Sequence, residues 1–265
     1  MEERTLRLWQ GGIETRVEEG GEGPPLVFLH GPWGLSGDRD FLGLLAANHR
    51  VHAPWHPGTS PGNPEAIHRL DDWLDLVAYY GELFDRLGVE APALVGHSFG
   101  GMLACEIAAA MPQRVGRLVL IDPLGLWRAD RPVRNWMILP ETERARALFA
   151  DPQDAAAARF FALPADPAER VAAQAGFTWA QACTGKFVWP IPDKGLKKRI
   201  HRIATPTLIL WGEADAIIAP AYARDFADRI AGAQVAMIAS AGHLPQVEQS
   251  QETARRVRDF LAGGG

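Results

Sequence analysis

A serine lies between two glycines in the segment VGHSFGG, residues 95–101. Gly96 and Gly100 flank Ser98 in a Gly-x-Ser-x-Gly spacing, which can hold a serine on a sharp turn between a strand and a helix. A serine held in this way can attack a carbonyl carbon and form a covalent acyl intermediate. The alternative is that Ser98 only caps the helix that follows, because serine is a favoured N-cap residue. Capping alone predicts no partner residues elsewhere in the chain.

A nucleophilic serine needs an imidazole that takes its proton and a carboxylate that orients the imidazole. Two later segments place such groups directly after apolar runs: TLILWGEADAII contains Asp215, and QVAMIASAGH ends on His243. Catalytic groups of an open α/β sheet lie at the carboxyl ends of its strands, so these side chains can meet Ser98 there. The order Ser98, Asp215, His243 therefore predicts a catalytic triad.

Other acids and histidines in the same segments are weaker candidates. Asp122 ends an earlier apolar run and stays an alternative to Asp215, whereas Glu213 is less favoured. His97 directly precedes Ser98. Because successive side chains of a strand point to opposite faces, we expect His97 to face away from Ser98.

The segment HRVHAPWH brings three histidines close together in sequence, at positions 49, 52 and 56. A zinc site needs its ligands to converge on one point. His49 and His52 are an odd number of residues apart on a predicted strand, so their side chains would face opposite ways. The sequence therefore predicts no metal site here.

Five short apolar runs predict the strands that must position these groups. Such runs are typical of strands buried on both faces, as in a parallel sheet. Stretches with apolar residues three and four apart lie between the runs and predict helices. The runs cover 25–31, 93–98, 117–122, 207–212 and 234–240, and the helical stretches cover 70–87, 101–111, 221–230 and 252–261. Strands that alternate with helices predict an α/β fold with a mostly parallel, doubly wound sheet.

Two further segments complete the expected architecture. Residues 5–10 and 13–19 alternate apolar and polar side chains around Gly11-Gly12, which predicts an opening β-hairpin. Residues 124–203 are far too long for a strand-to-strand connection and have a helical, Pro-interrupted pattern. We therefore expect a helical cap at 124–203, inserted into a core formed by residues 1–123 and 204–265.

Composition limits the class of protein and its partners. The chain has 265 residues, 47% of them hydrophobic and 22% charged, which is typical of a globular protein. A formal net charge of -5 gives no attraction for nucleic acid. The two cysteines cannot form a disulfide framework, and neither a signal peptide nor a membrane-length apolar stretch is visible. We expect a cytoplasmic protein with no membrane partner, and oligomeric state is not predictable from these features.

Four motifs in this order, FLHG (28–31), VGHSFGG (95–101), WGEAD (211–215) and AGH (241–243), resemble those of α/β-hydrolase fold enzymes of the capped serine esterase and lipase-like group. The resemblance extends over essentially the whole chain. It implies Ser98 as nucleophile, Asp215 as acid and His243 as base, without a metal or an organic cofactor. In similar proteins the histidines at positions 30 and 97 are structural, and some relatives carry the acid at the position of Asp122.

The chain departs from this family at the oxyanion hole. The resemblance implies that one donor is the backbone N–H of Phe99, directly after the nucleophile. The second donor normally follows the His-Gly pair, but here that residue is Pro32, which has no N–H. Our hypothesis is that the backbone N–H of Trp33 replaces it, since Trp33 is adjacent to Pro32 and Gly34 loosens the loop.

The motifs also bear on the reaction. A serine nucleophile disfavours relatives that use aspartate. Carbon–carbon hydrolases of ring-cleavage products usually carry a Gly-Pro-Gly run and a Trp after the catalytic histidine, whereas this chain has GPWGLSG and Leu244. We therefore expect a carboxylesterase whose small-molecule ester substrate has an apolar, medium-sized acyl or aryl group. Candidate pocket residues are the cap aromatics Trp127, Trp136, Phe161, Trp179 and Trp189. The alternatives are a carbon–carbon bond hydrolase and a non-catalytic ligand-binding protein, the latter suggested by Pro32.

Overall fold

A computed structural model describes residues 1–60 and 63–263 of the chain. One sheet of eight strands lies at the centre of the described residues. In chain order the strands are β1 (Glu2–Leu8), β2 (Ile13–Gly20), β3 (Pro25–Leu29), β4 (Arg50–Pro54), β5 (Ala93–His97), β6 (Arg117–Ile121), β7 (Thr207–Gly212) and β8 (Gln234–Ile238).

The sheet is mixed, with mostly parallel pairs. Its strand order is β1-β2-β4-β3-β5-β6-β7-β8. β1 pairs antiparallel with β2, and β2 pairs antiparallel with β4. All other neighbours pair in parallel. The expected α/β fold with a mostly parallel sheet is therefore confirmed.

The predicted opening hairpin is also confirmed. β1 and β2 are in register from Glu2 opposite Glu19 to Leu8 opposite Ile13. The backbone N–H of Gly11 donates to the Leu8 carbonyl oxygen at 3.0 Å and closes the turn. Gly11 has φ 83°, a left-handed conformation that glycine adopts without a steric cost.

Helices pack on both faces of the sheet. They are α1 (Arg39–Ala46), α2 (Trp73–Leu87), α3 (Phe99–Ala110), α4 (Glu141–Leu148), α5 (Ala155–Phe160), α6 (Pro167–Val188), α7 (Tyr222–Ala227), α8 (Pro245–Glu248) and α9 (Ser250–Ala262). Those predicted near α2, α3, α7 and α9 are present with ends shifted by up to three residues. α1 and α8 were not predicted.

The central strands are buried because helices cover both of their faces. All six residues of β7 are buried, as are four of the five residues in β5 and in β6. Strands of this kind need apolar side chains on both faces, which explains their continuous apolar runs. The carboxyl ends of β5, β6 and β7 therefore lie side by side at one edge of a rigid sheet.

Helices α4–α6 form an insertion between β6 and β7. The second half of α6 is buried against the core: the indole Nε1 of Trp73 in α2 donates to the Phe187 carbonyl oxygen at 3.0 Å. The first half of α6 is largely exposed. The division into a core, 1–123 with 204–265, and a cap, 124–203, remains a proposal. None of the helices in the described ranges is both long and apolar enough to cross a membrane.

Candidate active site

Ser98 lies on a strained turn between β5 and α3. Its backbone has φ 53° and ψ -112°, a conformation that costs energy for any residue other than glycine. A Cβ atom on Gly96 would collide with the Gly100 carbonyl, and one on Gly100 would collide with the Leu29 carbonyl. Both glycines are therefore required by close approach of the backbone. The Ser98 side chain makes no capping hydrogen bond, which argues against the capping interpretation.

His243 lies within hydrogen-bond distance of both other residues of the predicted triad. Ser98 Oγ lies 2.9 Å from His243 Nε2, and His243 Nδ1 lies 2.8 Å from Asp215 Oδ2. All three residues are buried, with His243 fully inaccessible to solvent. In this network Ser98 donates to Nε2 and the protonated Nδ1 donates to the carboxylate. The arrangement can transfer a proton from Ser98 to His243 while Asp215 stabilises the resulting positive charge.

Two backbone amides hold the Asp215 carboxylate. Its Oδ1 atom accepts from the N–H groups of Ile217 at 2.8 Å and Ile218 at 2.9 Å. Its other oxygen accepts from His243, so the anion has three donors. Glu213, the weaker acid candidate, is exposed. Of these two acids after β7, the structure therefore brings Asp215 to His243.

His97 supports the loop that carries His243. Its Nε2 donates to the His243 carbonyl oxygen at 2.8 Å. Burial lowers the pKa of His97 well below its usual value, and the nearby His243 ring lowers it further. The ring is therefore neutral and has one N–H to donate. His97 thus acts on His243 through the backbone, a contact that sequence reasoning could not locate.

A second set of contacts ties the His243 loop to the inserted helices. The backbone N–H of His243 donates to the carbonyl oxygen of Leu148, the last residue of α4, at 2.8 Å. The Glu248 carboxylate accepts from Gly242 N–H at 2.6 Å and from Ala150 N–H at 2.7 Å. Sequence analysis did not identify Glu248, because no local sequence pattern connects it with its partners Ala150 and Gly242.

Asp122, the alternative acid, is also at this site. It directly follows β6 with φ 43° and is completely buried. Carboxylate oxygens of Asp122 and Asp215 and a ring nitrogen of His243 all lie within 4.8 Å of one another. Among the described residues this is the one such cluster with spacing that a metal ion could use. His243 and Asp215 already pair with each other, so we interpret the cluster as hydrogen-bonded rather than as a metal site.

Trp33 lies directly beside the triad. Its ring meets the His243 ring edge-on, with centroids 5.9 Å apart, and also packs against the rings of His97 and Phe160. The indole N–H is buried and has no hydrogen-bond partner among the described residues. Nor is an acceptor found within those ranges for the Trp33 backbone N–H. Gly31 lies close to the side chains of His97 and Ser98.

A buried pair of histidines, His30 and His56, supports the loop that contains Trp33. His56 N–H donates to His30 Nε2 at 3.0 Å, and His56 Nε2 donates to the His30 carbonyl oxygen at 2.8 Å. Tyr80 hydrogen-bonds His56 Nδ1. Burial lowers the pKa of His56 to about 4 although the His30 carbonyl opposes this, so both rings remain neutral at physiological pH.

The three histidines of HRVHAPWH do not converge. His52 pairs with Glu19 of β2 at 2.7 Å, whereas His56 contacts His30 and Tyr80. His49 is buried with its Nδ1 atom unpaired among the described residues. Their different surroundings agree with the prediction that these side chains do not form one site.

A very small apolar cavity of about 10 Å³, room for about one water molecule, lies next to Phe99. It is lined by His56, Pro57, Ile67, Leu76, Phe99, Cys183, Thr184 and Phe187. None of the five predicted pocket aromatics is among these residues. Trp136 is buried, Trp127 and Phe161 pack partly buried against the core, and Trp179 and Trp189 are exposed by 36% and 50%. Their role in a pocket therefore remains a prediction.

Comparison with known proteins identifies the family. Residues 26–256 match the model of the "Alpha/beta hydrolase family". The chain is 29% identical over 279 residues to a 2-hydroxy-6-oxo-2,4-heptadienoate hydrolase of Pseudomonas putida, covering 95% of this chain and 94% of the relative. It is 27% identical over 259 residues to a pimeloyl-[acyl-carrier protein] methyl ester esterase of Photobacterium profundum, covering 91% and 96%.

The fold is shared with solved structures as well. A crystal structure of a meta-cleavage product hydrolase variant superposes with a TM-score of 0.78 at 21% identity, covering 97% of both chains. Identity at this level shows the fold alone. Because the family model spans most of the sequence and Ser98, His243 and Asp215 form a triad-like arrangement, the chain belongs to the alpha/beta hydrolase family, as a serine hydrolase of that fold.

Proposed function

We propose that this protein hydrolyses carboxylic esters with an apolar, medium-sized acyl or aryl group. His243 takes the proton of Ser98 while the Oγ atom of Ser98 attacks the ester carbonyl carbon. The tetrahedral intermediate collapses with release of the alcohol, which receives the proton from His243. Water then attacks the acyl-enzyme with His243 again as base, and the carboxylic acid leaves. The hydrogen-bonded series Ser98–His243–Asp215 is the observation that carries this proposal.

Two backbone N–H groups are proposed to bind the oxyanion. Phe99 is the first residue of α3, where a helix has no internal acceptor for its N–H. Trp33 supplies the second donor in place of Pro32. Two observations support this: the Trp33 ring packs against His243, and no acceptor for its backbone N–H is found in the described ranges.

The cavity beside Phe99 favours an ester over a charged substrate. Its lining contains no lysine or arginine, and its one histidine, His56, is neutral because burial lowers its pKa. An apolar group gains free energy when it leaves water for such a cavity, whereas an unpaired carboxylate loses it. We therefore propose that the apolar acyl part of the ester binds against this lining, in a space that must widen from its present volume of about 10 Å³ to admit it.

Hydrolysis of a carbon–carbon bond is the second candidate. Its support is the relative from Pseudomonas putida, whose name gives a 2-hydroxy-6-oxo-dienoate as substrate. That substrate carries a carboxylate, for which the cavity lining offers no cation. Leu244 also stands where such hydrolases usually have tryptophan. These two features make the ester hydrolase the better supported candidate.

Hydrolysis of p-nitrophenyl acetate, butyrate, octanoate and laurate by the purified protein tests the proposal. Ser98→Ala should lower turnover by roughly 10⁴-fold or more, because no other group replaces the nucleophile. Ser250→Ala, on the outer helix α9, is the control and should leave turnover unchanged.

Two further assays separate the alternatives. Cleavage of 2-hydroxy-6-oxo-2,4-heptadienoate with no ester hydrolysis would overturn the ester proposal in favour of the carbon–carbon hydrolase. Failure of a serine-reactive phosphonate to label Ser98, together with loss of both activities, would indicate a non-catalytic ligand-binding protein.

A further inference from the structure

Two carboxyl groups share the buried space behind His243. Asp215 pairs with His243, and Asp122 lies beside Asp215 at the end of the neighbouring strand β6. Both side chains are shielded from water. Two negative charges at such a short separation repel strongly in a buried site, so one of the carboxyl groups must carry a proton.

The hydrogen-bond donors decide which group holds the proton. Asp215 accepts three hydrogen bonds, from Ile217 N–H, Ile218 N–H and His243 Nδ1, and these favour its anion. Asp122 accepts one, from Gly212 N–H to Oδ1 at 3.0 Å. Asp122 Oδ2 is buried and has no hydrogen-bond partner among the described residues. An unprotonated oxygen at this place would therefore be left without a hydrogen-bond donor.

We propose that Asp122 is a positioning residue: it stays protonated and donates a hydrogen bond from its carboxyl O–H to Asp215, which fixes the triad carboxylate against His243. A protonated Asp122 satisfies the orphan oxygen and removes the repulsion in one step. It also leaves a single negative charge behind His243, so the base is not held in its protonated form by a second anion.

The surroundings of Asp122 support this assignment. Burial raises its pKa well above the usual value, and the negative charge of Asp215 raises it further, against the lowering effect of Gly212 N–H. Glu248 adds negative charge from a greater distance. The His243 ring is hydrogen-bonded to Asp215, the nearer member of the carboxyl pair. The functional part of this inference rests on the proposed hydrolase activity, whereas the protonation of Asp122 does not.

Infrared difference spectroscopy tests the protonation directly, without any assay of activity. A spectrum of the wild type minus Asp122→Asn should contain the C=O stretch of a protonated carboxyl group. It is recorded at about pH 9, where ordinary carboxyl groups are ionised and where Asp38, whose pKa is about 7, is ionised as well. Absence of this band, with carboxylate bands in its place, would overturn the proposal.

Ester kinetics test the positioning role. Asp122→Asn retains an N–H donor toward Asp215, so its kcat/KM should stay within about threefold of the wild-type value. The pH at the midpoint of the acid limb of its kcat/KM profile should not change. Asp122→Ala loses the donor, and kcat should fall about tenfold with little change in KM, as expected for loss of a hydrogen bond to a charged group.

Two kinetic outcomes would contradict the proposed role of Asp122. If Asp122 were ionised, Asp122→Asn would remove a charge near His243 and lower the midpoint of the acid limb by about one unit. Ester hydrolysis that persists in Asp215→Asn and disappears in the variant with both changes would make Asp122 the triad acid. Either result overturns the proposal. If no ester is hydrolysed by the wild type, the proposed function fails while the infrared result still decides the protonation of Asp122.

Discussion

Single residues decide whether this site can stabilise an oxyanion. Pro32 removes the N–H that similar enzymes use, and the chain continues with Trp33, whose ring lies against His243. The His30 and His56 pair holds the carbonyl oxygen of His30 from the other side. The loop therefore has contacts on both sides, which would preorganise the donor proposed at Trp33.

Pro32→Gly tests which donor acts. Glycine adds an N–H at the position that is usual in the family. If the Trp33 N–H already fills the role, kcat should stay within about threefold, because a second donor there is redundant. A rise of about 100-fold or more, the typical effect of one oxyanion donor, would show that the wild-type hole is incomplete. Thermal unfolding is measured alongside, since glycine also loosens the loop.

At the level of elements, α8 begins two residues after His243 and is held by contacts with segments that are far away in sequence. The segment that precedes α1 is joined to α8 by one such contact: Gln246 Nε2 donates to Asp38 Oδ1 at 3.0 Å. Gln246 Oε1 is buried without a partner among the described residues. A protonated Asp38 can donate to that oxygen, so the carboxylic acid and the amide would form two complementary hydrogen bonds.

The Asp38 pair predicts a specific pH dependence of stability. Burial, and to a smaller extent the charge of Glu18, raise the pKa of Asp38 to about 7 despite the Gln246 hydrogen bond. Between about pH 4 and 7 the folded state keeps a proton that the unfolded chain has released, so the free energy of unfolding should fall as pH rises. Above about pH 7 this decrease should be complete.

Asp38→Asn should abolish that slope, because asparagine keeps both hydrogen bonds to Gln246 and carries no charge. At about pH 8 the variant should be more stable than the wild type by about 2–4 kcal/mol. Urea unfolding at several pH values measures this difference. Equal stability of the two proteins across the range would contradict the buried, protonated pair.

The predictability of these elements follows from how each one is stabilised. β5, β6 and β7 were predicted because burial on both faces leaves an apolar run in the sequence. α8 has only four residues, too few for a helical period to appear. The triad-like arrangement was predictable because Ser98 directly follows β5, and Asp215 and His243 lie three and five residues after the ends of β7 and β8. Asp38 and Gln246 are 208 residues apart, and no local pattern connects them.

For the whole molecule, the proposed substrate cavity lies between the sheet core and the inserted helices. Phe99 belongs to α3 of the core, whereas Cys183, Thr184 and Phe187 belong to α6 of the insertion. We therefore expect the size of the accepted acyl group to depend on how far α6 can move away from the core, because the present cavity is only about 10 Å³. The pocket role of the predicted cap aromatics stays a prediction, because an apolar pattern in sequence does not distinguish pocket residues from surface residues.

Phe187→Ala tests this placement of the cavity. Removal of the ring enlarges the space beside Phe99, so the best p-nitrophenyl ester should shift to a longer acyl chain. Val171→Ala, at an exposed position of the same helix, is the matched control and should leave the preference unchanged. Thermal unfolding of both variants is needed, since loss of a buried Phe costs about 3–5 kcal/mol. An unchanged preference in stable Phe187→Ala would locate the acyl group elsewhere.

The hydrogen bond from His243 to Leu148 has a consequence for the timing of the reaction. We expect the end of α4 and the loop that carries His243 to move together, because Glu248 also joins Ala150 to Gly242. A displacement of α4 is therefore expected to separate His243 from Ser98. In such a displaced state the proposed reaction could not begin until α4 returned and restored the contact between His243 and Ser98.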